Sequence, residues 1–140
     1  MAIYKQGDRP LIITTPLGPD ALLATGLHGH EAISELFHFE VDLLAEAETQ
    51  IRFDGILGQT VTVEMRLSNG EKRYFNGLVR AFTEGDRDDD SLVHFRAELA
   101  PKLWLLTKKV SCRIFQHLST PDILRKVFDG LDVTYELFGA

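Results

Sequence analysis

Three stretches of this chain alternate apolar and polar residues with a period of two, the spacing of a strand buried on one face. In the first, Phe37, Phe39, Val41 and Leu43 share a face against His38, Glu40 and Asp42. In the second, Val61, Val63, Met65 and Leu67 oppose Thr62, Glu64 and Arg66. In the third, Val93, Phe95, Ala97 and Leu99 oppose His94, Arg96 and Glu98. The second run meets Ser68-Asn69-Gly70-Glu71, and Asn-Gly between alternating segments predicts a two-residue hairpin turn. That turn pairs Ser68 with Glu71, Met65 with Tyr74 and Val61 with Leu78, and it leaves Phe75 on the polar face. Gly77 is then expected in or beside a bulge that restores the phase. With a charged loop over Glu84–Asp90, residues 61–99 form a three-stranded meander. Two extended segments precede it, Leu11–Thr15, stopped by Pro16, Gly18 and Pro19, and Leu22–Ile33, interrupted by Gly26 and Gly29.

The period changes after residue 100. Pro101 to Leu106 has the form of a short helical turn with proline at its first position. Thr120-Pro121-Asp122 supplies an N-cap hydroxyl, a proline at the first helical position and a carboxylate near the positive end of the dipole. Ile123, Leu124, Val127 and Phe128 then make one apolar stripe, and Gly130 ends the helix. Val133–Phe138 is a final strand candidate. The expected fold is mainly β, an antiparallel β-barrel or closed sheet with one or two short helices, with all 140 residues in a single domain.

Composition narrows the function classes. At 44% hydrophobic and 26% charged residues, the chain has globular proportions rather than those of a disordered or collagen-like polymer. A single cysteine, Cys112, excludes an intrachain disulfide and fits a reducing compartment. A net charge of −6 is a poor start for binding nucleic acid or anionic lipid. No apolar run approaches the ~20 residues of a membrane span, and the first residues carry no signal-peptide core. A soluble domain made in the cytosol is expected, without nucleic-acid binding or membrane insertion.

None of the candidate chemical motifs is complete. Asp86-x-Asp88-x-Asp90 matches the start of a calcium loop, but Ser91 stands where glycine is needed and Ala97 where a bidentate glutamate belongs. His28 and His30 share one face of an extended segment, with His38 the only other nearby histidine, and four zinc ligands are not assembled. His117, Ser119 and Asp122 suggest a triad, yet Ser119 and Asp122 have the spacing of helix-start residues. Cys112 has no partner motif and is expected as a small buried hydrophobe. Trp104 is expected to anchor the core beneath the meander, with a partner-facing patch as the alternative. No catalytic residue, metal or cofactor is therefore expected.

Several segments in order carry a family resemblance: Gly29–Leu44 (GHEAISELFHFEVDLL), Leu57–Val63, Tyr74–Val79, Leu103–Thr107, Cys112–Gln116 and Ser119–Leu124. Together they resemble the N-terminal hub region of VgrG, the spike protein of the bacterial type VI secretion system, which is similar to the baseplate hub protein of contractile phage tails. The resemblance carries Glu31, Phe37, Phe39, Phe75, Asn76, Gly77, Trp104, Arg113, Phe115, Gln116, Pro121 and Asp122 as structural motif residues. It implies a tail-tube-type barrel and a structural, non-enzymatic part that adapts the sixfold Hcp tube to a threefold spike. It also implies family members several times longer. In them a second barrel, an OB-like domain and a β-helical needle follow, so that these residues correspond to the first barrel. The implied partners are other VgrG chains in a homotrimer, the Hcp ring and effectors. The implied route is export through the type VI apparatus without a signal peptide. The alternatives are a hub protein of a prophage or phage-like tail, a metal-dependent binding module, and an unrecognised hydrolase effector.

Charge is also segregated. Between Pro10 and Ile51 there are seven acidic residues and no lysine or arginine, whereas Lys102–Lys126 holds six basic residues against Asp122 alone. Glu40 and Asp42 on one side, and Lys108 and Lys109 on the other, are the candidate inter-subunit charge edges.

Overall fold

The computed structural model describes residues 4–88 and 91–138. The chain falls into two compact units, Met1–Pro101 and Lys102–Ala140. In the first, six strands form one sheet: β1 (Leu11–Thr14), β2 (Leu23–His30), β3 (His38–Glu46), β4 (Thr60–Arg66), β5 (Lys72–Arg87) and β6 (Leu92–Ala100). The order across the sheet is β1-β4-β5-β6-β3-β2, and every pair is antiparallel. The predicted meander is thus β4-β5-β6, and the β2–β3 hairpin docks on its β6 side.

Alternation decides which face is buried. Phe39, Val41, Leu43 and Ala45 of β3 share the core with Val61, Val63, Val79, Phe82, Val93, Phe95, Ala97 and Leu99. Ile56, just after a 3-10 turn at Phe53–Gly55, plugs the same core. Three register shifts, at Ala24/Gly26, Val79/Ala81 and Glu84/Arg87, increase twist and curl the sheet strongly over this core. The closed barrel expected from sequence is not what forms. β1 and β2 approach each other, yet no ladder joins them among the described residues. The architecture is a curled half-barrel.

Edge β1 is covered from within the chain. Gln6, 6% exposed, gives its amide hydrogen to the Ile13 carbonyl at 2.9 Å and accepts the Ile13 N–H at 2.8 Å, copying a strand partner. Its own N–H reaches Asp20 Oδ1 at 3.1 Å.

The β4–β5 hairpin corrects the predicted register by one residue. Leu67, not Ser68, closes the turn: its N–H bonds the Glu71 carbonyl at 2.8 Å, and Gly70 N–H bonds the Leu67 carbonyl at 3.0 Å. The loop is therefore Ser68-Asn69-Gly70, with Gly70 in the left-handed region at φ 85°. Three-residue hairpins place glycine there. This pairs Val63 with Phe75 and Val61 with Gly77, so Phe75 packs against the core without a phase correction. The bulge lies instead at Arg80, against β6. Similarly, β5 continues through Arg87, so the predicted charged loop is mostly strand.

In the second unit, a 3-10 helix spans Lys102–Lys108 and α1 spans Thr120–Val127. The N-cap is Ser119 rather than Thr120, which places Pro121 second and Asp122 third in the helix. The final segment, Val133–Phe138, is irregular instead of a strand, because no neighbouring ladder receives it among the described residues. No helix in the described residues is long and apolar enough to cross a membrane.

Candidate functional site

The motif residues of the first unit converge on one end of the sheet. Gly29 on β2 sits opposite Phe39 on β3, and a β-carbon on Gly29 would lie 1.9 Å from Phe39 Cδ1. The ring thus covers the glycine backbone, and any side chain there would displace it. Phe37 and Phe39 have ring centroids 5.0 Å apart, and Phe39 meets Phe75 edge-on at 5.1 Å. Each such aromatic pair contributes ~0.5–1.5 kcal/mol beyond simple burial. Gly77 admits the same cluster from below, since a β-carbon there would approach Leu99 Cβ to 3.0 Å and Phe37 Cε2 to 3.4 Å. On the solvent side Arg73 lies 5.1 Å above the Phe75 ring and 3.4 Å from Glu31. Asn76 ties β5 to β4 through Val61 O at 3.2 Å and Thr62 Oγ1 at 2.7 Å. Glu31, Phe37, Phe39, Phe75, Asn76 and Gly77 therefore build one corner, whose chemistry is packing.

The outer face carries cross-strand charge pairs. Asp42 of β3 holds Arg96 of β6 at 3.1 Å and His28 of β2 at 3.5 Å. Glu98 of β6 holds Arg80 at 2.8 Å and His38 at 3.6 Å. Glu40 stands between His28 and Glu98 in the ladder and makes no ion pair among the described residues. Farther along, Arg66 and then Lys72 hydrogen-bond Glu64, holding its carboxyl below the ordinary glutamate value. Alternation had placed His38, Glu40, Asp42, Glu64, Arg66, Arg96 and Glu98 outward. Which ones meet was illegible, because β3 pairs with β6 across half the chain.

The metal candidates do not assemble. His30 pairs with Glu35 at 3.3 Å while His28 turns to Asp42, so the two imidazoles have separate partners. Asp88 accepts the Leu92 N–H at 3.1 Å and lies 3.6 Å from His94, which makes it a turn residue. Asp90 lies outside the described residues. Among the described residues no three His, Cys, Asp or Glu gather as a metal site.

In the second unit Ser119 and Asp122 cap α1 reciprocally: Asp122 N–H points at Ser119 Oγ, and the hydroxyl bonds the Asp122 carboxylate. That bond, with Arg125 adding to it, lowers the Asp122 carboxyl from its ordinary value. Both triad candidates are thus occupied in the cap. Arg113 reaches from the preceding extended segment to the Lys126 carbonyl at 2.9 Å, covering an end-of-helix acceptor. Phe115 lines a shallow cavity with Leu106 and Val127, Gln116 follows it exposed, and Lys109 is exposed as well. Trp104 is half-buried with the Lys108 ammonium 4.5 Å above its ring, and it is not among the buried core residues where it was expected. Cys112 is exposed, contrary to the expectation of a buried thiol.

The family model for the phage tail baseplate hub (GPD) matches residues 30–138. The type VI secretion system spike protein VgrG1c of Pseudomonas aeruginosa is 33% identical over 129 residues, covering 92% of this chain and 18% of the relative. VgrG1b of the same organism is 34% identical over 131 residues, covering 94% of this chain and 17% of the relative. Among solved structures, the E. coli c3393 protein superposes with a TM-score of 0.67 at 20% identity, over 89% of this chain and 33% of that one. It is described as a type VI secretion component with structural similarity to the T4 bacteriophage tail proteins gp27 and gp5. The present chain spans less than a fifth of the length of these curated relatives.

Proposed function

The chain belongs to the phage tail baseplate hub family, and from that membership we propose that it serves as a structural hub segment of a type VI secretion spike. The observation that carries the reading is the match of nearly the whole chain to spike proteins at about one-third identity. The work of such a segment is shape. A ring of similar curled sheets adapts the sixfold Hcp tube to a threefold spike, with other VgrG chains and the Hcp ring as its neighbours and effectors as cargo. Synthesis in the cytoplasm and export through the apparatus itself follow from the same reading. The aromatic corner supports it: the motif residues there pack β2, β3 and β5 together through ring contacts and close glycine approaches.

A chimera tests this. The matched region of P. aeruginosa VgrG1c is replaced by this chain in a strain lacking its own spike genes, and tube protein is measured in the medium. Secretion above the spike-free background is expected. A stably accumulated chimera that secretes nothing refutes the reading, and a chromosomal neighbourhood of phage tail genes reassigns the segment to a phage-like tail.

A further inference from the structure

Residues 4–9 form a strap along the outer edge of β1 that is tied to both ends of the strand order. On one side the Arg66 guanidinium, at the close of β4, donates to the Gly7 carbonyl at 2.7 Å, and the Gln6 side chain holds the Ile13 N–H and carbonyl of β1. On the other side Tyr4 N–H donates at 3.0 Å to Glu46 Oε1, at the close of β3. Between them Gln6 N–H meets Asp20 Oδ1 on the connection that leads into β2. Because β1 and β2 approach without a ladder, the strap bridges the seam that a closed barrel would fill with strand pairing.

These ties differ in kind from those of the sheet. Each sets a side chain against a main-chain group, and no backbone–backbone bond joins residues 4–9 to a strand among the described residues. The one buried residue of the strap, Gln6, is polar, while Tyr4, Lys5, Gly7 and Asp8 are exposed. A cleft of about 560 Å³ lies between residues 5–8, 12–15 and 18–20, so the strap does not close down on the strand beneath it. β1 is held separately, by its ladder with β4 and by Ile13 in the core. Opening the strap therefore uncovers little apolar surface and breaks no ladder, whereas opening a strand does both. A segment of that kind opens at a smaller free energy than the fold around it.

We propose that residues 4–9 are a detachable clasp, which opens and recloses as one unit while the six strands stay folded. Closed, it ties the two ends of the curled sheet together across the seam. Open, it leaves the Ile13 N–H and carbonyl to water and the seam without these ties, so the half-barrel has two states of closure short of unfolding. The strap moves as a unit because Gln6 is bonded through its main chain and its side chain alike, so release at either end of the strap loosens the same residue. Clasp opening is a property of the sheet alone and does not depend on the proposed function.

Native-state hydrogen exchange of the full chain, followed by NMR at rising low concentrations of urea, tests it. The Tyr4, Gln6 and Ile13 amides each donate to a clasp partner and are expected to share one opening free energy. Ile13 is expected to exchange at least about 100-fold faster than Val41 and Val63 of the inner ladders, at a rate that low urea leaves unchanged. Asp20→Gly then removes one tie, and glycine adopts the Asp20 φ of 60° without strain. It is expected to speed exchange at Tyr4 and Ile13, whose partners are Glu46 and Gln6, by the same factor as at Gln6, on the order of tenfold. Ile13 exchanging in step with Val41, with the same urea dependence, overturns the proposal, because the strap then belongs to the cooperative sheet. An Asp20→Gly effect confined to Gln6 overturns it too, because the strap then frays one residue at a time. Should Asp20→Gly fail to fold, the parent rates decide: three separate opening free energies for Tyr4, Gln6 and Ile13 overturn the clasp.

Discussion

Gly29→Ala adds one carbon at the point where β2 and β3 leave no space for it. The new atom would fall 1.9 Å from Phe39 Cδ1, 2.7 Å from Cε1 and 2.8 Å from the His38 carbonyl oxygen. Phe39 must therefore leave its rotamer, an overpacking cost of ~1–3 kcal/mol. Its contacts with Phe37 and Phe75 loosen with it, each worth ~0.5–1.5 kcal/mol. Against this, alanine in a strand regains ~0.5–1 kcal/mol over glycine. The net expectation is a loss of about 2–3 kcal/mol, or a Tm lower by about 10–20 °C for a unit of this size. Urea denaturation followed by far-ultraviolet circular dichroism measures it. Phe39→Leu sharpens the test. In the parent it costs about 1–2 kcal/mol, but in the Gly29→Ala background its cost falls to near zero, because the smaller side chain makes room. The approach to the His38 carbonyl remains, so the double variant stays below the parent. A Gly29→Ala chain within about 0.5 kcal/mol of the parent, or two strictly additive changes, would refute the argument that the ring and the glycine form one packing unit.

Gln6→Ala strands the Ile13 N–H and carbonyl at the β1 edge and is expected to cost ~1–3 kcal/mol, read from the urea midpoint. An unchanged midpoint would mean that water replaces the amide freely. Glu64 is held below its ordinary value, so its contribution is complete above the unfolded value and disappears as pH falls through the lower folded one. Glu64→Gln should therefore flatten the acid limb of the stability curve below pH 5 while the neutral limb keeps its slope; identical acid limbs count against the Arg66–Lys72 pairing. Ser119→Ala removes the α1 cap and should destabilise that helix by ~1 kcal/mol, with Ser119→Asp largely preserving it. Amide exchange of residues 120–127 reports the difference, and equal exchange in the parent and Ser119→Ala would show that the cap contributes nothing.

What the residue pattern discloses depends on how local the cause is. The strands at 38–46, 60–66 and 92–100 follow from alternation alone, since the burial of every second side chain is a property of each strand's own sequence. The turn at Asn69-Gly70 was recognisable as a turn but not as a three-residue one. Which residue carries the positive φ depends on whether Tyr74 or Phe75 of β5 faces the core opposite β4, and Phe75 won that competition by pairing with Val63. The pairing of β3 with β6 left no local signal at all. For that reason the Asp42–Arg96 and Arg80–Glu98 contacts were invisible although Asp42, Arg96 and Glu98 were correctly placed outward. Gln6 was missed for a related reason: a lone glutamine resembles any surface residue until a nearby strand edge needs two hydrogen bonds. Gly29 and the phenylalanines were visible as motif residues, but the reason for them, a ring lying on a bare backbone, required the β2–β3 register.

The strand order also sets a schedule for folding. The β2–β3 hairpin and the β4-β5-β6 meander each close from neighbouring sequence, but the seam between them joins distant residues such as Asp42 and Arg96, 54 positions apart along the chain. Contacts at that separation carry the larger loop-closure entropy and form late, on the slower timescale of all-β topologies. During synthesis the hairpin leaves the ribosome first, with Phe39, Val41 and Leu43 uncovered on one face and the whole of β3 unpaired along one edge until β6 arrives. The acidic residues that crowd this hairpin, with no lysine or arginine between Pro10 and Ile51, keep such waiting hairpins apart through like charge.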